Sequence, residues 1–96
     1  MTNKNYVAGA NFERRLVKWY EAQGFDPVIR SAGSHGVSDV TAFFHSKVIF
    51  NSLRLSNEWS SIEREQFESV VKKNNAVGRY VWRENGTNKI CWKEVG

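Results

Sequence analysis

The sequence predicts an α/β domain whose elements run helix, three strands, helix, two strands. Three observations carry that prediction. Phe12, Leu16, Trp19 and Tyr20 recur at helical spacing. Residues 38–55 are rich in β-branched and aromatic side chains and are broken by a tight Ser46-Lys47 reversal. Ser60 with Glu63 three residues later is a capping-box signature, and it precedes two strand-like runs about an Asn85-Gly86 pair.

Ninety-six residues suffice for one domain over 1–96, with little room for a second core. The hydrophobic fraction of 41% and charged fraction of 25% are those of an ordinary globular protein. Four Trp, three Tyr and six Phe imply that a few large rings supply much of the burial. A single cysteine, Cys91, excludes an internal disulfide and a cysteine-based zinc site, and reads as a small buried hydrophobe in a reducing compartment. No apolar run approaches a membrane span, and the polar start 1–5 does not read as a signal peptide. A cytoplasmic location is expected. The net charge of +4 and pI near 9.5 favour a polyanionic partner such as nucleic acid over a membrane surface.

The first helix is expected over Asn5 to Gln23, ended by Gly24 and Pro27. Arg14, Arg15 and Lys18 form a basic cluster on its outer side, which also suits a plain solvated surface. Glu13 adjoins the apolar stripe. Strands follow at Phe25 to Ser31, Ser38 to His45, and Lys47 to Leu55, the last apolar enough at its start to be central. In the second of these, Val40, Ala42 and Phe44 face one way and Thr41 and Phe43 the other. The second helix runs from Ser60 to about Asn74, with Ile62, Gln66, Phe67, Val70 and Val71 on its inner face. Strands at Ala76 to Glu84 and Lys89 to Val95 complete the order. Trp82 and Trp92 suit base stacking, but strand tryptophans in a chain this small read first as core, and His45 reads as a surface residue at a strand end.

One stretch stands apart, Arg30-Ser31-Ala32-Gly33-Ser34-His35-Gly36-Val37-Ser38-Asp39-Val40. Two glycines, hydroxyls and a histidine contribute little to a core, so the ordering of such a loop needs another reason. Asp39, opening a strand at the rim of an apolar sheet, is suited to hold a divalent cation while the glycine-serine backbone approaches a phosphate. It also suits an ordinary turn aspartate.

The pattern Gly9-x-x-Phe12-Glu13, Gly24-Phe25 and Arg30-Ser31-x-Gly33-Ser34-x-Gly36-x-x-Asp39-Val40-x-Ala42 resembles the archaeal and phage Holliday-junction resolvases of the PD-(D/E)XK nuclease superfamily. The likeness is specific over residues 9–44 and continues as element order towards the C-terminus. It implies a restriction-endonuclease-like core, a mixed sheet flanked by helices in the order αβββαββ. It also implies that Glu13 and Asp39 are metal ligands in one cleft. Mg²⁺ (or Mn²⁺) takes oxygen ligands and keeps several waters, so one or two carboxylates and a substrate phosphate can hold it. The family's third-strand pair, an acid and a lysine two residues apart, is not matched. One alignment places Ser52 and Arg54 there, and a one-residue slide places Asn51 and Leu53 there instead. Arginine stays protonated, so Arg54 can stabilise charge but is a poor general base. The next carboxylate, Glu58, lies beyond the strand.

Two functional readings follow. In the first, the chain is a metal-dependent endonuclease acting on branched DNA as a homodimer. Asp39, Glu13, Arg54 and Ser52 then form the catalytic set, and Arg14, Arg15, Lys18, Arg30, Ser34 and His35 contact DNA. In the second, the fold is kept as a module that binds DNA or a protein partner without cutting, for example a phage protein that blocks a host system. A small-molecule enzyme has little support, because His35 and His45 lack metal-ligand spacing and Cys91 has no evident nucleophile partner.

Overall fold

The computed structural model of the chain describes residues 4–31, 38–84, 87 and 89–95, with side chains from residue 7 onward. Helix α1 spans Lys4–Glu21, followed by strands β1 (Val28–Arg30), β2 (Val40–Phe44) and β3 (Lys47–Arg54). Helix α2 (Ser61–Lys73) then leads to β4 (Val77–Arg83) and β5 (Ile90–Val95). The order is the one expected. The first strand is shorter than predicted, but Asp26 N donates to Phe43 O at 2.8 Å, so pairing outlasts the regular strand.

The strands form one sheet in the order β1-β2-β3-β4-β5. Only β3 and β4 are parallel; every other neighbouring pair is antiparallel. A parallel neighbour cannot be reached by a tight turn, and α2 supplies the crossover. The register sorts side chains into two faces. Val40, Ala42, Ile49, Leu53 and Val81 pack with Phe12, Leu16 and Tyr20 of α1. Tyr80, with Phe50 and Val95, packs with Phe67 and Val71 of α2 and with Trp59. Full burial of an aliphatic or aromatic side chain contributes about 1.5–3 kcal/mol, so these two layers carry the fold.

Gly24, at φ +95°, takes the left-handed conformation that ends α1, while Phe25 N and Gln23 N both donate to Tyr20 O. Gly78 matters for a different reason: a Cβ there would lie 2.7 Å from Val71 Cγ2, so α2 rests on bare backbone. Ser60 caps α2 as its spacing predicts, accepting from Glu63 N at 3.1 Å while Glu63 Oε1 accepts from Ser60 N at 3.1 Å.

Several burial expectations are corrected. Ile62 is 67% exposed and Gln66 is exposed, because α2 packs on the sheet with Phe67 and Val71, over Gly78. Trp92 is exposed and Trp82 half-buried, and Phe44 is exposed at the end of β2. Cys91 is likewise only half-buried. Both Trp92 and Cys91 lie on β5, an edge strand with a single neighbour. His45 is exposed in the β2–β3 turn, as expected. The Asn85-Gly86 pair and Asn88 lie outside the described residues, but Glu84 N donates to Lys89 O at 2.9 Å and closes the β4–β5 pair. Among the described residues, no helix is long and apolar enough to cross a membrane.

Candidate functional site

Asp39 stands where the β2–β3 ladder runs out. The last regular pair is Val40 with Asn51. One residue further, Asp39 N still donates to Asn51 O at 2.8 Å and Ser31 N donates to Asp39 O at 3.0 Å. The next amide of β3 that needs a partner, Leu53 N, donates instead to the Asp39 carboxylate, with Oδ2 at 2.8 Å. Ser38 helps finish the ladder: its Oγ lies 2.9 Å from Val40 O, to which it donates, and accepts from Asn51 N at 3.2 Å. Burial pushes the Asp39 carboxyl above the usual carboxylate range. The Leu53 amide and the Arg54 charge pull it down, and the negative charge of Glu13 pushes it up.

Glu13 approaches from α1. Its Oε1 receives Arg30 Nε at 2.9 Å, a partly buried ion pair that ties the helix to β1. A cleft of about 450 Å³ opens beside it, lined by Gly9, Phe12, Glu13, Leu53, Arg54 and Leu55. Asp39 is not one of its walls but holds the amide of Leu53, which is. The structure thus brings Glu13, Asp39 and Arg54 to one place, the end of β3 beneath the N-terminal half of α1.

The remaining β3 candidates have other partners. Ser52 is buried on the α2 face, where its Oγ accepts from Trp59 Nε1 at 3.0 Å. Asn51 is fully buried on the α1 face. Its Oδ1 accepts from Tyr20 Oη at 2.7 Å, and its Nδ2 donates to Val40 O at 2.9 Å. Arg54 forms an ion pair with Glu63 and donates through Nη1 to Leu53 O at 3.0 Å. Glu58 is exposed in the connection. The carboxylate that meets Arg54 is Glu63, legible in the sequence only as a helix cap.

The donor set suits a hard cation in a limited way. Among the described residues, no group of three or more His, Cys, Asp or Glu side chains is arranged to hold a metal. Glu13 and Asp39 each commit one oxygen to a protein donor, leaving the other without a partner among the described residues. Two such oxygens meet the minimum for Mg²⁺, which takes its remaining ligands from water and phosphate.

A second groove, of about 290 Å³, lies between α1 and β1 and is lined by Arg14, Val17, Lys18, Glu21, Val28 and Arg30. Three of the predicted DNA contacts, Arg14 and Lys18 from α1 and Arg30 from β1, therefore line one groove, and Arg30 joins it to Glu13. Arg15 is exposed but does not line it. Ser34 and His35 lie outside the described residues.

Among solved structures, the chain is similar to Hjc, a Holliday junction resolvase from the archaeal hyperthermophile Archaeoglobus fulgidus. The TM-score is 0.71 at 22% identity, covering 91% of this chain and 70% of that one. At that identity the likeness is one of fold, and it bears out the mixed sheet with helices on both faces. No curated protein matches the sequence. The archaeal Holliday junction resolvase (Hjc) family matches residues 4–92, from the start of α1 into β5. On that match, the chain belongs to the archaeal Holliday junction resolvase family.

Proposed function

We propose that the chain is a DNA-binding protein of the resolvase type that recognises branched DNA and carries a divalent-cation-dependent endonuclease centre built on Glu13 and Asp39. One observation supports this most directly. A basic groove of Arg14, Lys18 and Arg30 runs into an acidic pair at the end of β3, joined by the Arg30–Glu13 contact. Such a groove takes backbone phosphates, and the acids lie where the strand would arrive.

Glu13 and Asp39 would hold Mg²⁺ or Mn²⁺, which when bound activates water for attack on phosphorus and offsets the charge that develops there. Arg54 stabilises negative charge at the scissile phosphate once it leaves Glu63. Leu53 N–H keeps the Asp39 carboxylate oriented through a main-chain hydrogen bond rather than a mobile side chain. Two copies related by a two-fold axis would suit two symmetric cuts across a junction.

A second reading, binding without hydrolysis, is favoured by one specific observation. Both residues able to stand in for the missing third-strand acid have structural partners, Ser52 with Trp59 and Asn51 with Tyr20. Cleavage of a labelled four-way junction and of linear duplex separates the readings. It is run with Mg²⁺, Mn²⁺ or EDTA, for wild type and Asp39→Asn. Cutting that needs metal and is lost in the variant supports the endonuclease. Junction binding without cutting, unchanged by the substitution, supports the binding module. Neither binding nor cutting refutes both.

A further inference from the structure

The β5 edge carries an aromatic and cationic assembly that the cleft does not use. Trp92 is 45% exposed, although its ring is held on two sides. Trp19 of α1 lies 5.2 Å away at an interplanar angle of 56°, and the Arg79 guanidinium carbon lies 5.5 Å from the Trp92 ring. Arg79 is itself immobilised. Its Nε and Nη2 donate to Glu94 Oε1 at 3.2 and 2.9 Å, and its Nη1 donates to Tyr20 Oη at 3.2 Å. Tyr20 Oη in turn donates to the buried Asn51. A continuous chain of contacts therefore runs from the middle of the sheet to the exposed indole.

An isolated surface tryptophan needs no explanation. This one is propped by a fixed guanidinium and a second indole, so little rotamer entropy remains to be lost when something stacks on it. Its surroundings are cationic. The register places Arg79 and Arg83 on the same sheet face as Trp92, at neighbouring positions of β4. Arg15 lies one helical turn before Trp19 on the same side of α1. Glu94 is the ion-pair partner of Arg79. A nucleobase offers a flat face for the ring and a phosphate on each side for the flanking arginines.

We propose that Trp92, backed by Arg79 and Trp19, is a stacking platform for an unpaired nucleobase of a DNA strand. The proposal rests on the DNA-binding reading above and adds what is recognised: a base outside a duplex, as at an opened branch point or in a single strand.

The test is fluorescence anisotropy at fixed salt with the full chain and three labelled probes. These are an oligodeoxythymidylate, an abasic deoxyribose-phosphate oligomer of the same length, and a blunt duplex. Base stacking on an aromatic residue predicts that Trp92→Ala weakens oligodeoxythymidylate binding by roughly 5- to 150-fold. On the abasic and duplex probes the change should stay within about twofold, and Trp92→Phe should recover most of the loss, since a ring remains. Circular dichroism and the Phe variant guard against a mere folding defect. Equal losses on all three probes, or no loss on any, overturn the platform. So does a wild-type protein that binds duplex and junction but prefers oligodeoxythymidylate no more than the abasic strand. A Trp92→Ala protein that turns from dimer to monomer in sedimentation overturns it too, by assigning the patch to a second copy. Wild type that binds no probe and no junction refutes the DNA reading itself, a result distinct from the others.

Discussion

Asn51 stands at one of the two positions where the family pattern would put a catalytic acid, yet its contacts are those of a core residue, and Asn51→Ala tests which description holds. The substitution removes the acceptor of the Tyr20 hydroxyl, a 2.7 Å bond at a fully buried site, and the amide that donates to Val40 O at 2.9 Å. Val40 O keeps a second donor in Ser38, so the main orphan is the Tyr20 O–H. An unsatisfied buried hydroxyl costs about 1–3 kcal/mol, and a lost net hydrogen bond with the small cavity adds about 1–2 more. The expected loss is about 2–5 kcal/mol, and each kcal/mol moves Tm by roughly 4–8 °C in a domain of this size. Urea unfolding followed by tryptophan fluorescence measures it. Tyr20→Phe closes a double-mutant cycle: the pair should be less costly than the sum by about 1–2 kcal/mol, since neither partner is orphaned when both are gone. A cost below about 0.5 kcal/mol, or strict additivity, would refute the reasoning.

Other outcomes follow from the same contacts. Gly78→Ala drives a Cβ to 2.7 Å from Val71 Cγ2 and should destabilise by about 1–3 kcal/mol; adding Val71→Ala should relieve part of that, and a neutral Gly78→Ala in thermal unfolding would contradict the α2 packing. Asp39 has its folded pKa raised, so the stability it contributes is present below the usual carboxylate value and lost as pH rises through the raised one. Ionised Asp39 therefore costs stability at neutral pH. Asp39→Asn, which still accepts from Leu53 N, should raise Tm there by a margin that shrinks in acid, and a pH-independent difference would contradict the assignment. Replacing Arg14 and Lys18 by Gln should flatten the slope of log binding constant against log salt by about 1.8 for duplex DNA, if each contacts one phosphate. An unchanged slope would remove the α1–β1 groove from the DNA surface.

Most of the fold was legible because its signals are local. The Phe12-Leu16-Tyr20 stripe, the Ser60–Glu63 cap and the alternation of β2 each depend on residues a few positions apart, and each element formed where its pattern lay. Burial on the edges was less legible. Periodicity shows which side of a strand is apolar but not whether that strand has a neighbour, so Trp92 and Cys91 read as core and proved to lie on a one-sided strand. Ile62 fits the helical stripe, but the buried side chains of α2 lie further along, at Phe67 and Val71 over Gly78.

The candidate site divides in the same way. Residue types alone singled out Asp39 and the basic residues of α1, and the resemblance to the resolvases added Glu13 as its acidic companion and the unmatched acid and lysine on the third strand. Register decided which face each β3 candidate takes, because Val40 opposite Asn51 places Asn51 in the α1 core and Ser52 on the α2 face. The partners Arg30 for Glu13, Leu53 N–H for Asp39 and Glu63 for Arg54 lie 17, 14 and 9 positions away. No local spacing encodes contacts of that kind. They exist only once the sheet and its two helices have closed around them, which is why residue types alone determined the chemistry available here and tertiary structure decided how each group is engaged.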